Sequence, residues 1–530
     1  MALAAGVLPL WVGRHLPLVD LPQHLHLISA LHRLDDPTTL YPELLEARGE
    51  LTPYLGYYYA ASLLNWLLPL DVANKVFLSA YVAGLPLSVA FLLRAFGRPT
   101  WPALLTVPLA YGDSFGWGFV NYCASLPLTF LCMGAFVRCL QEPRRRKPWA
   151  VLLAVTLVGV LLMHVQAFAF LAFALPLLLV TTRAPEDAHL SGMERLGPRV
   201  AALVGVLPGV VLFLLWFGGR LSKPPEVAYG QPWKAWGPTF SPQNLNWKGG
   251  VRFPAPLAEC LKAHVLQNWR ELPSLPANLL RDGSDRYALY ALCLVAAVAL
   301  GLGIFGAVMR RTQAERREGP VERWRLLGLG AIALAMFFVL PFDINGYVYY
   351  LNTRYVHLAL PLLVAALPLV EQRFVVPLRW AGAACAVVLA LPLGRAFAEF
   401  NREMAPLDRI AEEAARKPRV MGLIYDTSSR VMTHPVFLHA ASEIARAQGG
   451  ITNFSFASTP HSPLKYKGEV PPTFPSEWRP WDLSMERQGY YYDHFLLRGR
   501  RPQQTALAPF LGSELVVADE QGPFTLVRRR

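Results

Sequence analysis

The chain has 530 residues, 54% of them hydrophobic and 16% charged, with a formal net charge of +13. Soluble domains carry roughly 25% charged residues, so the composition excludes an ordinary soluble protein. The basic residues sit in short clusters between apolar runs rather than on one domain, which is the pattern of cytoplasmic loops and argues against a nucleic-acid partner.

Runs such as "PWAVLLAVTLVGVLLMH" and "RVAALVGVLPGVVLFLLWFGG" approach the roughly 20 residues that span a bilayer core. In chain order, spans are expected at 2–13, 72–93, 101–111, 119–140, 149–163, 167–182, 200–217, 287–309, 326–341, 355–370 and 379–394. The fold class is therefore a polytopic α-helical membrane protein with about 11 transmembrane helices. The first span is short and Pro9 interrupts it. Five of the six cysteines lie in apolar runs, leaving Cys260 in a loop, so no disulfide framework or Cys-based metal site is expected.

Charge bias orients these spans. Eighteen Lys and Arg residues fall in one set of loops, while the short loops 112–118, 164–166 and 342–354 hold only Arg354. Positive charge stays inside. The long loops 14–70 and 218–286 and the tail 395–530 are then placed outside the cytoplasmic (inner) membrane. Loop 218–286 carries Trp233, Trp236, Trp247 and Trp269 and a surface helix near "APLAECLKAHVLQNWREL".

Beyond Arg395 the composition changes. An amphipathic helix leads to a strand "RVMGLIYD", a helix "HPVFLHAASEIARAQ" and strands "YYYDHFLLRG", "SELVVAD" and "FTLVRR". Alternation of helix and strand predicts a C-terminal extracytoplasmic α/β domain over 395–530. The Pro-rich stretch "STPHSPLKYKGEVPPTFPSEWRP" is too long for a turn, and reads as either an ordered surface loop or a mobile one.

Candidate chemistry gathers at the outer face. In "LVDLPQHLHLISALHRLDDP", Asp20 and His24 fall about 40° apart on a helix, with His26 nearly opposite. One reading makes Asp20 a helix cap, in a capping box with Gln23, on an amphipathic helix lying along the membrane surface. The other makes Asp20 and His24 a proton-sharing pair or the start of a divalent-metal site that needs a further carboxylate. Asp113, in "AYGDSFGWGFVNYCASLPL", is that second carboxylate or simply a cap for the next helix. Asn121 and Tyr122 either face the same cavity or pack. His164 lies at another outer turn. Arg354 in "LNTRYVHLALPLL" suits a phosphate, because its planar fork holds two oxygens; the alternative is a headgroup anchor in an aromatic belt that includes Tyr347, Tyr349, Tyr350 and Tyr355. His357 is one turn deeper. No P-loop, Gly-rich nucleotide fingerprint, Ser nucleophile elbow or HExxH is present, so no nucleotide cofactor is expected.

This arrangement resembles the glycosyltransferase C superfamily. An acid follows the first span (Asp20 in "LVDLPQHL"), a second acid sits in the next outer loop (Asp113), an "RY" pair opens a late span (Arg354, Tyr355), and a soluble domain follows the last span. Leu21 stands where the family frequently has the second member of an Asp-Glu pair, and no acceptor-sequon motif of oligosaccharyltransferases is found. The resemblance implies transfer of a sugar from a polyprenyl-phosphate carrier to an acceptor glycan, lipid or protein, with inversion. It makes Asp20 a general base or, with Asp113, a metal ligand. Arg354, with His164, His357 and Tyr355, would bind the donor phosphate. A transporter or flippase, a lipid-linked polysaccharide ligase or polymerase, and a non-catalytic membrane assembly factor are the competing classes.

Overall fold

The structure is a computed structural model, and it describes residues 1–182, 192–221, 227–228, 231–232, 245–250, 254–309, 320–344 and 348–530. Trp233, Trp236, Tyr347 and the basic stretch 310–319 fall outside those residues. In chain order, α1 (Ala2–Val7), α2 (Leu21–His32) and α3 (Leu55–Asn65) precede α4 (Leu70–Ala95), α5 (Val120–Gln141), α6 (Arg146–Met163), α7 (Val165–Thr181) and α8 (Gly192–Leu221). Then follow α9 (Leu257–Glu271), α10 (Asp285–Met309), α11 (Pro320–Val339), α12 (Tyr355–Ala365), α13 (Gln372–Glu413) and α14 (Ala441–Gln448). Among the described residues, six of these contain a stretch long and apolar enough to cross a membrane: α4, α5, α6, α8, α10 and α13. Four shorter apolar helices accompany them, at Ala2–Trp11, Val165–Thr181, Trp324–Val339 and Tyr355–Ala365. The chain is a polytopic helical membrane protein.

Several sequence expectations change. Residues 101–111 do not form a helical span. Pro102 and Pro108 each lack an N–H for a continuous ladder, and the segment splits into 3-10 turns Trp101–Thr106 and Pro108–Tyr111, the first packed against α4 and α13. Helix α2 is not an exposed surface helix. Its apolar stripe and both His24 and His26 are buried, with α3 and α14 packed on it. The expected boundary at residue 395 falls inside one continuous helix, because Arg395 and the charged residues after it are good helix formers.

That helix, α13, explains how the two parts are joined. Its 42 residues reach about 63 Å at 1.5 Å per residue, twice the ~30 Å hydrocarbon core. Its second half carries Leu393, Phe397, Phe400, Met404, Leu407 and Ala411 on one buried stripe, the three-and-four spacing of an amphipathic helix. The stripe supports a mixed sheet built from β2 (Arg419–Ile424), β3 (Ile451–Thr452), β5 (His494–Arg498), β6 (Leu515–Gln521) and β7 (Phe524–Arg529). Strand order is β6-β7-β5-β2-β3, with β2 parallel to both β3 and β5 and the rest antiparallel.

Successive strand residues face opposite sides, and both sides are apolar here. Val420, Ile424, Leu496, Phe524 and Leu526 join the core that runs into the membrane bundle. Met421, Leu423, Phe495, Leu497 and Val527 form a second core under Phe474 and Tyr492. The Pro-rich stretch is an ordered layer: its strand β4 (Leu464–Tyr466) pairs antiparallel with β1 (Leu45–Ala47) of the first long loop. The helix expected from 434 starts only at Ala441, and residues 434–440 run as turns across the end of the bundle.

Candidate active site

Asp20 occupies the N-cap position of α2 but makes no side-chain cap; its φ of −84° and ψ of −9° are already helical. Gln23 is likewise not part of a capping box. The carboxylate is thereby free for other partners. The backbone at Asp20 is tied to the loop 112–118: its N–H donates to the Trp117 carbonyl at 3.1 Å, and Val19 N–H donates to the Gly116 carbonyl at 3.1 Å. Gly118 permits this approach. It sits at φ +78°, and a Cβ there would lie 2.8 Å from the Asp20 nitrogen.

The same loop holds Asp113. Trp117 N–H donates to the Asp113 carbonyl at 3.0 Å, so the Trp117 peptide is hydrogen-bonded to both acidic residues. Asp113 does not cap through its side chain. Instead its Oδ1 lies 3.1 Å from Nε2 of His434. Gly116 makes room, since a Cβ there would stand 2.5 Å from His434 Cε1.

Asp20 also meets a histidine of the C-terminal region. His439 Nε2 is 3.3 Å from Asp20 Oδ1, and its Nδ1 is 3.8 Å from Glu477 Oε2. Gln23 lies 2.8 Å from Nδ1 through its amide nitrogen, while its Oε1 accepts the Phe456 N–H at 2.9 Å. Burial opposes a charge on His439, but Glu477 and Asp20 outweigh it and hold the imidazole above its usual value. Burial pushes the Glu477 carboxyl up.

Arg354 opens α12 and is 9% exposed. Its Nη1 donates to Gln166 Oε1 at 3.0 Å and to the Tyr349 carbonyl at 3.1 Å, and the guanidinium lies 4.2 Å over the Phe119 ring. Among the described residues it has no carboxylate in ion-pair contact, although Asp20 acts on it electrostatically. Two neighbouring buried donors, Arg354 Nε and Gln166 Nε2, have no hydrogen-bond partner among the described residues. Two tyrosines at positive φ flank the region, Tyr54 at 77° and Tyr350 at 54°. Non-glycine residues held there cost about 1–3 kcal/mol each and cluster at functional sites. Tyr350 feels both acids: burial first, then Asp113 and Asp20, push its phenol up.

Asp113, Trp117 and Tyr350 line an open pocket of about 610 Å³, together with Phe342, Lys248 and Glu271. The other expected residues take different places. His24 turns away from Asp20: its Nδ1 is 2.7 Å from the Tyr58 hydroxyl, and burial pulls it down to about 4, with Asp20 only partly opposing. His164 caps α7, its Nδ1 accepting the Gln166 N–H at 3.2 Å, and its ring packs edge-on to Tyr54 and Tyr122. His357 accepts the Ser114 N–H at 3.4 Å behind the Asp113 loop. Tyr355 is buried beside Arg354. Asn121 and Tyr122 are not in the cavity wall. Asn121 Oδ1 accepts the Tyr57 N–H at 3.2 Å, and the Tyr122 hydroxyl donates to the Arg354 carbonyl.

Sequence reasoning passed over His434, His439, Gln166 and Glu477. Two histidines five positions apart beside a proline, in a segment read as a plain helix, were the available signal. Asp20 and Asp113 each face their own imidazole, and among the described residues no group of three or more His, Cys, Asp or Glu side chains is arranged to hold an ion.

No protein-family model matches the chain, and no curated protein matches its sequence. Several solved structures are similar to it. The crystal structure of ArnT from Cupriavidus metallidurans bound to undecaprenyl phosphate shares 12% identity, with 99% of this chain and 96% of that chain covered and a TM-score of 0.44. The arabinofuranosyltransferase AftD from Mycobacteria shares 13% identity over 100% of this chain and 39% of that one, at a TM-score of 0.47. The Archaeoglobus fulgidus oligosaccharyltransferase, tethered to an acceptor peptide, shares 12% identity over 94% and 68%, at a TM-score of 0.38. At such identities and scores the likeness carries no argument about activity, which has to come from the site.

Proposed function

We propose that the protein is a glycosyltransferase that moves a sugar from a polyprenyl-phosphate carrier to an acceptor hydroxyl at the outer face of the cytoplasmic membrane. The observation that carries this reading is the pair of unpartnered buried donors, Gln166 Nε2 and Arg354 Nε, the second on a cation with no carboxylate in ion-pair contact among the described residues. Buried polar groups are almost always satisfied, and an uncompensated buried charge is costly. A phosphate oxyanion supplies what both donors lack.

Asp20 then acts as general base. The acceptor hydroxyl gives its proton to the carboxylate, its oxygen bonds to the anomeric carbon, and the bond from that carbon to the phosphate oxygen breaks. The electron pair leaves with the phosphate, where Arg354 and Gln166 stabilise it. His164 orients Gln166 through its peptide, and Tyr355 and His357 back the same wall. Attack opposite the leaving group inverts the anomeric carbon. The pocket of about 610 Å³ beside Asp113 has the size of a small-molecule site, with Trp117 and Tyr350 as flat faces for a sugar ring. An apolar groove of about 270 Å³ lined by Phe168, Leu171, Leu175, Leu203 and Val206 descends α7 from the turn that carries Gln166. It suits an isoprenoid tail among the membrane lipids.

Purified protein in nanodiscs, supplied with polyprenyl-phosphate-linked sugars, should release or transfer the sugar, and Asp20→Asn should abolish this with the fold intact. Full turnover in that variant removes the base. Movement of the lipid-linked sugar across liposomes with its covalent structure unchanged would establish a flippase instead.

A further inference from the structure

We infer that His439 is a positioning residue for Asp20, brought from the C-terminal region to fix the carboxylate by one oxygen while the other faces the acceptor. The inference rests on Asp20 being the base, and goes beyond it by assigning the group that aims it.

The argument is a chain of obligate donors and acceptors. The Phe456 N–H can only donate, so the Gln23 atom 2.9 Å from it is the amide oxygen. The other end of that amide is then the NH₂ group, which faces His439 Nδ1 at 2.8 Å. An NH₂ group also only donates, so in the neutral imidazole Nδ1 carries the lone pair and the proton resides on Nε2. Nε2 is the atom 3.3 Å from Asp20 Oδ1.

The charged imidazolium carries the Nε2 proton as well, with Glu477 the carboxylate on the Nδ1 side at 3.8 Å. The single form that would turn a lone pair toward Asp20 is the tautomer that Gln23 disfavours. A donor therefore faces Asp20 whichever protonation state His439 holds, and the groups around it are Asp20, Glu477 and the neutral His24. Asp20 and Gln23 are three residues apart on α2, about 60° around the helix, so one helix presents both the base and the residue that sets its partner's tautomer. His439 is 5% exposed, and its ring has little freedom to leave. The contact to Asp20 is poorly aligned for a hydrogen bond, as such contacts often are before substrate binds.

Three variants measured beside Asp20→Asn test this. His439→Phe keeps a ring without the donor, His439→Gln restores an N–H at similar reach, and Gln23→Leu frees the tautomer. The expected result is a fall in kcat at nearly unchanged KM for His439→Phe, on the order of ten- to a hundredfold, the scale seen when a group that orients a metal ligand is removed. His439→Gln recovers most of that loss, and Gln23→Leu shows a smaller fall of the same kind.

Wild-type kcat in His439→Phe, with Asp20→Asn inactive, overturns the positioning role and leaves the base in place. Equal losses in Phe and Gln variants, tracking a lowered melting temperature, also overturn it, because a structural role makes no distinction between them. If His439→Phe does not fold, Gln23→Leu decides: an unchanged kcat there refutes the inference. Activity in Asp20→Asn instead removes the base reading on which it stands.

Discussion

Replacing Arg354 with methionine should separate activity from stability. The guanidinium makes two hydrogen bonds, at 3.0 and 3.1 Å, and one stacking contact at 4.2 Å. Hydrogen bonds to a charged group contribute about 1.5–3 kcal/mol each and a cation over a ring about 1–2, so the favourable side is roughly 4–8 kcal/mol. Against it stand several kcal/mol of desolvation for an ion with no carboxylate in ion-pair contact among the described residues, and about 1–3 kcal/mol for the unsatisfied Nε. The two sides nearly cancel. Methionine fills similar volume but leaves Gln166 Oε1 without the Arg354 donor, at about 1–3 kcal/mol, so net stability should fall by no more than about 3 kcal/mol. Turnover should fall by two to three decades, the ~3–4 kcal/mol that one preorganised oxyanion donor is worth. Lysine should rescue little, because a point charge does not replace the fork. Thermal unfolding in nanodiscs and single-turnover release from a polyprenyl-phosphate sugar measure the two quantities. A variant that loses stability in step with activity, or that turns over normally, refutes the reasoning.

Asp113→Asn should weaken the His434 contact and loosen the loop 112–118, costing about 1–2 kcal/mol; a KM for sugar that stays at the wild-type value would show that the adjoining pocket does not hold it. Gly118→Ala should strain a backbone at φ +78° and push against the Asp20 nitrogen, lowering kcat more than a Gly→Ala change elsewhere; unaltered kinetics would mean that the loop does not set Asp20. His26 donates from Nε2 to the Gly450 carbonyl at 3.0 Å, and burial pulls it down to about 4. Its folded value lies below the unfolded one, so the stability it supports is present above about pH 6.5 and is lost as pH falls toward 4, about 3 kcal/mol at the lower end. His26→Leu should flatten the melting-temperature decline over that window, and an identical decline in both proteins would refute the assignment. A chain ending at Ala414 should aggregate, because Phe397, Phe400, Met404 and Leu407 lose the sheet that covers them; a monodisperse, folded truncation would show the bundle to be self-sufficient.

The membrane helices were legible because hydropathy is a local property, written in each segment's own residues. Where backbone chemistry intervened, at Pro102 and Pro108, the apolar pattern misled: it counted a buried pair of tight turns as a span. The site was half legible. Asp20, Asp113 and Arg354 are charges in apolar surroundings, conspicuous at any reading. Their neighbours were not, since Gln23 and His439 are 416 residues apart, and nothing in either segment names the other. Gln23 even carried a false local explanation, because its spacing from Asp20 fits a capping box that the helix does not use.

The placement of the two carboxylates and their histidines follows from the solvent on each side. Hydrocarbon charges roughly 2.5–3.5 kcal/mol for a carboxylate at mid-depth, and open water weakens every interaction among charges. The end of the bundle avoids both. The membrane helices supply the cation and an apolar groove, while residues 434–440, laid across the same end, supply His434 and His439 to the two carboxylates. The sheet above them has one face in the core that continues into the bundle, so the histidines are held by the same packing that holds the helices. Rigid delivery of this kind is what the proposed base needs, since an orienting group on a mobile tether would lose in entropy what it gained in aim.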